Sequence, residues 1–165
     1  MKEIKIIPLS KNNLSEAISL VKSIFPYRED QKIARINLIE SLSLKNSGKS
    51  YWVAVDSNDK IVGLTGLYLD AKDKDVVWLG WFGVHPEQRR QGIGNRLLRF
   101  TIDEAKRREF KTMKIYTSTD KGARAARRLY ESFGYRKINS CRVADKIHYI
   151  KDLNIDDANT GQQAH

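Results

Sequence analysis

Val84-His85-Pro86-Glu87-Gln88-Arg89-Arg90-Gln91-Gly92-Ile93-Gly94-Asn95-Arg96-Leu97-Leu98 reads as an apolar strand end closed by proline, then two arginines and two closely spaced glycines that open a helix. Around Gly92 and Gly94 no side chain obstructs the main chain. The first N–H groups of a helix have no acceptor within it, so they face outward as anion donors. Arg89 and Arg90 add positive charge beside them. One charged side chain near a helix start contributes about 0.3–1 kcal/mol, whereas several N–H groups converging on one anion act together. Glycine costs about 1 kcal/mol relative to alanine inside a helix, so two of them within three residues need a reason. The segment predicts a site for a pyrophosphate; the plainer alternative is a surface strand-to-helix turn with incidental arginines.

The chain around this turn has 165 residues, the length of one compact domain with a real core. Cys141 is the only cysteine, which excludes an intramolecular disulfide and a multi-cysteine zinc site and fits a reducing, cytoplasmic compartment. No metal site is expected. The N-terminus lacks a small-residue cleavage pattern, and nowhere do about 18 apolar residues follow one another, so no membrane association is expected. The formal charge of +10 is unevenly placed: residues 1–50 carry +4, 51–85 carry −2, 86–136 carry +8 and 137–165 carry none net. The positive field therefore belongs to the segment assigned to phosphate. A basic patch also suits nucleic acid, but basic-aromatic repeats, zinc fingers and a long basic helix are missing, which makes nucleic-acid binding the lesser reading.

Hydrophobic periodicity orders the rest. Residues 3–9 form a short strand closed by Pro8, and Leu14, Ala17, Ile18 and Val21 mark a helix that stops at Phe25-Pro26. A second helix is predicted from Arg28 to about Leu44, with Ile33, Ile36, Leu38, Ile39 and Leu42 at helical spacing. Residues 51–56 and 60–69 read as an antiparallel hairpin, and a third strand runs from about Val76 to Val84. Gly80 and Gly83 inside that apolar run signal a bulge or split. The helix after Gly92 turns Leu97, Leu98, Ile102 and Ala105 inward; a strand at residues 111–117, a helix at 123–132 stopped by Phe133-Gly134-Tyr135, and strands near 136–139 and 146–150 follow. Residues 152–165 hold too few apolar side chains to pack and are expected to be a disordered tail after a single domain of residues 1–151.

This order of elements resembles the GNAT superfamily of acyl-CoA-dependent N-acetyltransferases. The family's Arg/Gln-x-x-Gly-x-Gly/Ala signature is met by Arg89-Arg90-Gln91-Gly92-Ile93-Gly94, and its Ala-x-x-Leu-Tyr-x-x-x-Gly-Phe/Tyr helix by the stretch from Ala126 through Leu129 and Tyr130 to Gly134 and Tyr135. The resemblance implies an α/β (α+β) fold with a central mixed, mostly antiparallel sheet of about seven strands and about four helices. It implies acetyl-CoA as cosubstrate, its pyrophosphate on the amides of Arg89, Arg90, Gln91, Gly92, Ile93 and Gly94. The backbone of Phe82, Gly83 and Val84 would pair with the pantetheine arm, Gly83 leaving room beside it, in a wedge that opens toward the strand ending near Thr117. Ala126 belongs to the same cofactor set. Where the family often carries an asparagine, this chain has Ala123, and Arg127 and Arg128 are either adenosine-phosphate ligands or solvated side chains.

Acetyl transfer to a primary amine of a small molecule, peptide or protein, by direct attack in a ternary complex, is the activity so implied. Tyr130 matches the family's tyrosine facing the coenzyme sulfur and is the catalytic candidate. An unperturbed phenol has a pKa near 10 and a thiol near 8.5, so full proton transfer to thiolate is uphill by roughly 2 kcal/mol; hydrogen bonding is the role expected. Phe25, Tyr27, Tyr68 and Trp81, with Trp78, are candidates for the acceptor pocket, with Trp78 and Trp81 on opposite strand faces. Many relatives use a glutamate as base on the strand before the turn, and residues 78–84 hold no carboxylate. A water chain, Asp70, Asp73, Asp75, Glu29 and His85 are what remain, His85 reading better as a surface histidine. A non-catalytic acyl-CoA-binding regulatory module is the alternative from another class, and a homodimer is compatible with either.

Overall fold

A computed structural model describes residues 3–138 and 145–154; the tail beyond residue 154, Cys141 and the predicted strand end at Asn139 lie outside the described residues. The chain folds as two compact units: one of the residues up to Leu69 with Leu79–Thr101, the other of Asp70–Trp78 with the chain from Ile102 onward.

In the first unit, β1 (Lys5–Pro8), β2 (Lys49–Val55) and β3 (Ile61–Leu69) form an antiparallel sheet, and β5 (Gly83–Val84) pairs with β3 through Gly63↔Val84 and Leu64↔Gly83. The β2–β3 turn is held by the Asp56 carboxylate, which accepts the N–H groups of Asn58 and Lys60 at 2.9 and 3.0 Å. Helix α1 (Leu14–Ile24) buries Ala17, Leu20 and Val21 and ends at extended Phe25, because the residue before Pro26 is driven out of the helical region. Glu16 ties α1 to the sheet by accepting the Ile61 N–H at 2.8 Å. Helix α2 (Arg28–Ser43) turns Ala34 and Leu38 inward with Leu42 packed beside them, while Ile33 and Ile36 are exposed. Its inner stripe is thus the i, i+4 row through Ala34, a position that a count of large apolar residues passes over.

Helix α3 (Ile93–Arg107) begins in this unit. Its Ile93 and Leu97 pack with Ile4, Ala54, Val62 and Val84. Leu98, Ile102 and Ala105 are buried as their spacing predicts. Thr65 and Thr101, both fully buried, share a 2.6 Å hydroxyl contact, and Thr101 also donates to the Leu97 carbonyl at 2.6 Å, so neither hydroxyl is left unsatisfied.

In the second unit, β4 (Val76–Leu79) runs parallel to β6 (Thr112–Ser118), in register Val76↔Thr112 to Trp78↔Lys114. A parallel pair requires a crossover helix between its strands, and α3 is that helix in sequence. β8 (Lys146–Asp152) pairs antiparallel with β6 along its whole length and with β7 (Arg136–Ile138) on its other side. Helix α4 (Arg124–Ser132) stops in a Schellman motif: Gly134, at φ 87°, donates to the Glu131 carbonyl and Tyr135 to the Tyr130 carbonyl. Among the described residues the fold is the expected mixed, mostly antiparallel sheet with four α-helices, and it has eight strands because the third predicted strand is broken at residues 80–82 into β4 and β5.

Gly66 is fixed by packing: a Cβ there would stand 2.3 Å from the Tyr51 ring and 2.9 Å from the Ser50 carbonyl. Gly66→Ala is expected to lower stability by about 1–3 kcal/mol, read as an earlier urea midpoint; an unchanged midpoint would contradict this packing.

Candidate active site

The turn at residues 85–95 lies wholly in the first unit. After Val84, the His85 N–H donates to the Val62 carbonyl at 2.8 Å and prolongs the β5 pairing. The His85 Nδ1 then accepts the Glu87 N–H at 3.2 Å, capping the 3₁₀ turn Pro86–Gln88. Of the base candidates, His85 is therefore engaged as a cap. Arg89 folds back, its Nε donating to the Val84 carbonyl at 3.0 Å.

Arg90 at φ 61° and Gly92 at φ 78° are both left-handed, an alternation that turns successive N–H groups toward one side as an anion nest. The first main-chain bond of α3 runs from Arg96 to the Gly92 carbonyl, so the N–H groups of Ile93, Gly94 and Asn95 precede the helical ladder. No atom lies within 4 Å of the Cβ position at Gly92. The space before these donors is open, and Arg90, Gln91 and Gly92 are exposed. Arg96 anchors the helix start by donating to the Ile4 carbonyl at 2.7 Å. Among the described residues β5 has a strand partner on one side only, and the Val84 carbonyl is taken by the Arg89 Nε.

Gly83 departs from the expected role. A Cβ there would meet Ile24 of α1 at 2.5 Å, so its missing side chain makes room for a helix. Phe82 is half-buried against the core that includes Val84 and Ile93. Phe25 and Trp81 come together edge to face at 5.0 Å and pack on the α1–α2 core, whereas Tyr27 is exposed and Tyr68 half-buried. The strand break at residues 80–82 removes the alternation that had set Trp78 and Trp81 on opposite faces.

In the second unit Tyr130 is buried, with the rings of Tyr135 and Tyr149 at 6.2 and 6.0 Å. Burial, and secondarily Tyr149, pushes its phenol well above the usual range, so the O–H stays intact. Ala126 is half-buried on the same helix. Arg127 donates to the Ser118 and Asp120 carbonyls at 2.7 and 2.8 Å, which assigns its guanidinium to the loop before α4; Arg128 is exposed.

A cluster that the sequence reading passed over surrounds Trp78. Its ring stacks with Tyr116 at 4.7 Å and His148 at 5.2 Å, and those two lie 4.7 Å apart. The Trp78 Nε1 donates to Asp70 Oδ2 at 2.8 Å, and that bond, with the Lys72 and Asp73 N–H groups, holds the Asp70 carboxyl below its ordinary pKa. Asp75 is 3.4 Å from the Lys111 ammonium and Asp73 accepts the Asp75 N–H, so these loop carboxylates have structural partners. The signal for the cluster was the alternation in Lys114-Ile115-Tyr116 and His148-Tyr149-Ile150, but which strands pair cannot be read from either stretch alone.

The sequence pattern of the Acetyltransferase (GNAT) family matches residues 14–135, and the chain belongs to that family. It is similar to probable N-acetyltransferase 14 of Xenopus tropicalis, 36% identical over 88 residues that cover 53% of this chain and 41% of that protein. It is also similar to probable N-acetyltransferase camello of Xenopus laevis, 31% identical over 99 residues, 60% of this chain and 44% of that protein. The chain spans less than half the length of these curated relatives. Among solved structures it is similar to an acetyltransferase of the GNAT family from Staphylococcus aureus, with TM-score 0.74 and 25% identity over 92% of this chain and 99% of that one. The PaiA N-acetyltransferase of Thermoplasma acidophilum, solved in complex with coenzyme A, shares the fold at TM-score 0.73 and 16% identity, over 91% of this chain and 99% of that one.

Gly92→Val is expected to weaken acetyl-CoA binding by about tenfold or more, at least about 1.4 kcal/mol. The branched side chain would fill the open space and oppose the left-handed backbone. Calorimetric titration of folded variant and wild type checks this; equal affinity would contradict the site.

Proposed function

We propose that the protein is an N-acetyltransferase that moves the acetyl group of acetyl-CoA to a primary amine of a small molecule, peptide or protein. The observation that carries the reading is the turn at residues 89–94, whose left-handed backbone, open face at Gly92 and unladdered N–H groups suit a pyrophosphate in shape and charge. Family membership supports the same cosubstrate.

The thioester supplies an activated carbonyl with a thiolate leaving group. The amine nitrogen attacks that carbonyl directly, and a main-chain N–H near Val84 is the proposed donor to the developing oxyanion. Tyr130 is proposed to donate its O–H to the departing sulfur. Because burial keeps that phenol protonated, the role is charge stabilisation by a hydrogen bond, and the sulfur takes its proton from the attacking nitrogen. Among the described residues no helix is long and apolar enough to cross a membrane. The reading sets the reaction in the cytoplasm, where a lone cysteine stays reduced.

Tyr130→Phe is expected to lower kcat by about 10- to 100-fold, the worth of a hydrogen bond to a charged group, while the Kd for acetyl-CoA changes less than about twofold. Thiol release with a panel of primary amines, beside calorimetry on the same samples, measures both; undiminished kcat would remove Tyr130 from the mechanism.

A further inference from the structure

The geometry points to the groove between α1 and α2 as a docking site for an acidic stretch of a peptide or protein acceptor, held there while its amine reaches the thioester. The inference rests on the acetyl-transfer reading above and names the class of acceptor which that reading leaves open.

The groove lies within the first unit. It encloses about 280 Å³ and is lined by Ile18 and Lys22 of α1 and by Arg28, Gln31, Lys32 and Arg35 of α2. Residues three and four apart share a helix face, so Ile18 and Lys22 form one wall and the row through Arg28, Lys32 and Arg35 forms the other. All four cations are exposed, and among the described residues no hydrogen bond or ion pair engages any of their side chains. The neighbouring carboxylates are placed elsewhere: Glu16 accepts the Ile61 N–H, Glu40 pairs with Lys49, and Glu29 and Asp30 do not line the groove. The +4 carried by residues 1–50 lies outside the segment assigned to phosphate, and four of its lysines and arginines meet here.

Four like charges without counter-charges favour an anionic ligand. From Arg28 to Arg35 the row climbs about 10 Å, at 1.5 Å per residue, the length of about three residues of extended peptide. Arginine takes a carboxylate bidentately, so acidic side chains along such a segment match the row. Gln31 selects a peptide over other polyanions. Its Nε2 donates to the Phe25 carbonyl at 2.6 Å, so what it has left to offer is the Oε1 acceptor. A peptide main chain has N–H donors for that oxygen, whereas a phosphodiester backbone has none. No aromatic ring lines the groove, so nucleic-acid bases find no stacking platform there.

The groove occupies the ends of α1 and α2 that meet at Phe25-Pro26-Tyr27, and that junction packs on the strand break. A Cβ at Gly83 would stand 2.5 Å from Ile24, and Phe25 meets Trp81 edge to face at 5.0 Å. The next residue of that strand is Val84, near which the oxyanion donor is proposed. A segment in the groove is therefore held on the same unit as the proposed thioester site, beside the helix end that packs on residues 81–83.

The test uses the full chain and two hexapeptides with a free N-terminal amine, one carrying three glutamates and one with glutamines in their place. Anisotropy of peptides labelled at the C-terminus reads binding without coenzyme, and thiol release with acetyl-CoA reads turnover. Wild type is expected to bind the glutamate peptide about tenfold more tightly than the glutamine peptide, with KM lower by a similar factor. Arg28→Gln combined with Arg35→Gln is expected to remove most of that preference, and Lys22→Gln, on the other helix, about threefold of it, while kcat, glutamine-peptide affinity and the Kd for acetyl-CoA stay within about twofold. Lys45→Gln, a cation outside the groove, leaves the preference intact. Equal affinity for the two peptides, an unchanged preference in either folded groove variant, or an equal loss in Lys45→Gln overturns the proposal; if the double variant does not fold, Lys22→Gln decides alone. A dodecamer of oligouridine that binds more tightly than the glutamate peptide and weakens in the same variants overturns it in favour of nucleic acid. A glutamate peptide bound in the groove but not acetylated by a chain that binds acetyl-CoA also overturns it, whereas a chain that binds no acetyl-CoA overturns the parent reading instead.

Discussion

The start of α3 must expose main-chain donors while remaining rigid, and the surrounding structure is arranged around that conflict. A helix start left unladdered costs stability unless its groups reach water or a ligand. Here the chain is held on both sides of the donors: Arg89 bonds the Val84 carbonyl, Arg96 bonds the Ile4 carbonyl, and Ile93 and Leu97 are driven into the core with Ala54, Val62 and Val84. Between those anchors lie the two left-handed residues, Arg90 and Gly92. The turn proposed to hold the anion is thus preformed, and a preformed site loses less entropy on binding.

The same anchors explain where the positive charge goes. The segment from 86 to 136 carries +8, yet several of its arginines have structural work. Arg89 and Arg96 hold the turn, Arg127 holds the loop before α4, and Arg107 and Arg108 pair with Glu104, whose carboxyl the Arg107 bond keeps below its usual range. Those contacts fix the cations in place without cancelling their long-range field, so a polyanionic ligand still meets a positive surface. The sequence placed the positive field in the segment assigned to phosphate and left Arg127 and Arg128 open; the structure engages Arg89, Arg96, Arg107, Arg108 and Arg127 with main-chain or carboxylate partners.

Local patterns were legible because their causes are local. Helix stops at Phe25-Pro26 and Phe133-Gly134-Tyr135, the hairpin at Asp56 to Lys60 and the break marked by Gly80 all follow from residues a few positions apart. Long-range causes were not. Gly83 is small because Ile24 of α1 presses on it, Gly66 because the Tyr51 ring crosses it, and His85 is a cap because its ring turns toward the Glu87 N–H. The cluster of Trp78, Tyr116 and His148 depends on a register that joins residues from three separate strands, and no single window of sequence contains it.

If main-chain donors grip the diphosphate, their amide resonances must report it. In ¹⁵N-resolved NMR spectra of the full chain titrated with coenzyme A, the N–H protons of Gln91 through Asn95 are expected to move downfield as a group and saturate together. Saturable binding that leaves those five resonances in place, with shifts confined to arginine side chains, would contradict the account.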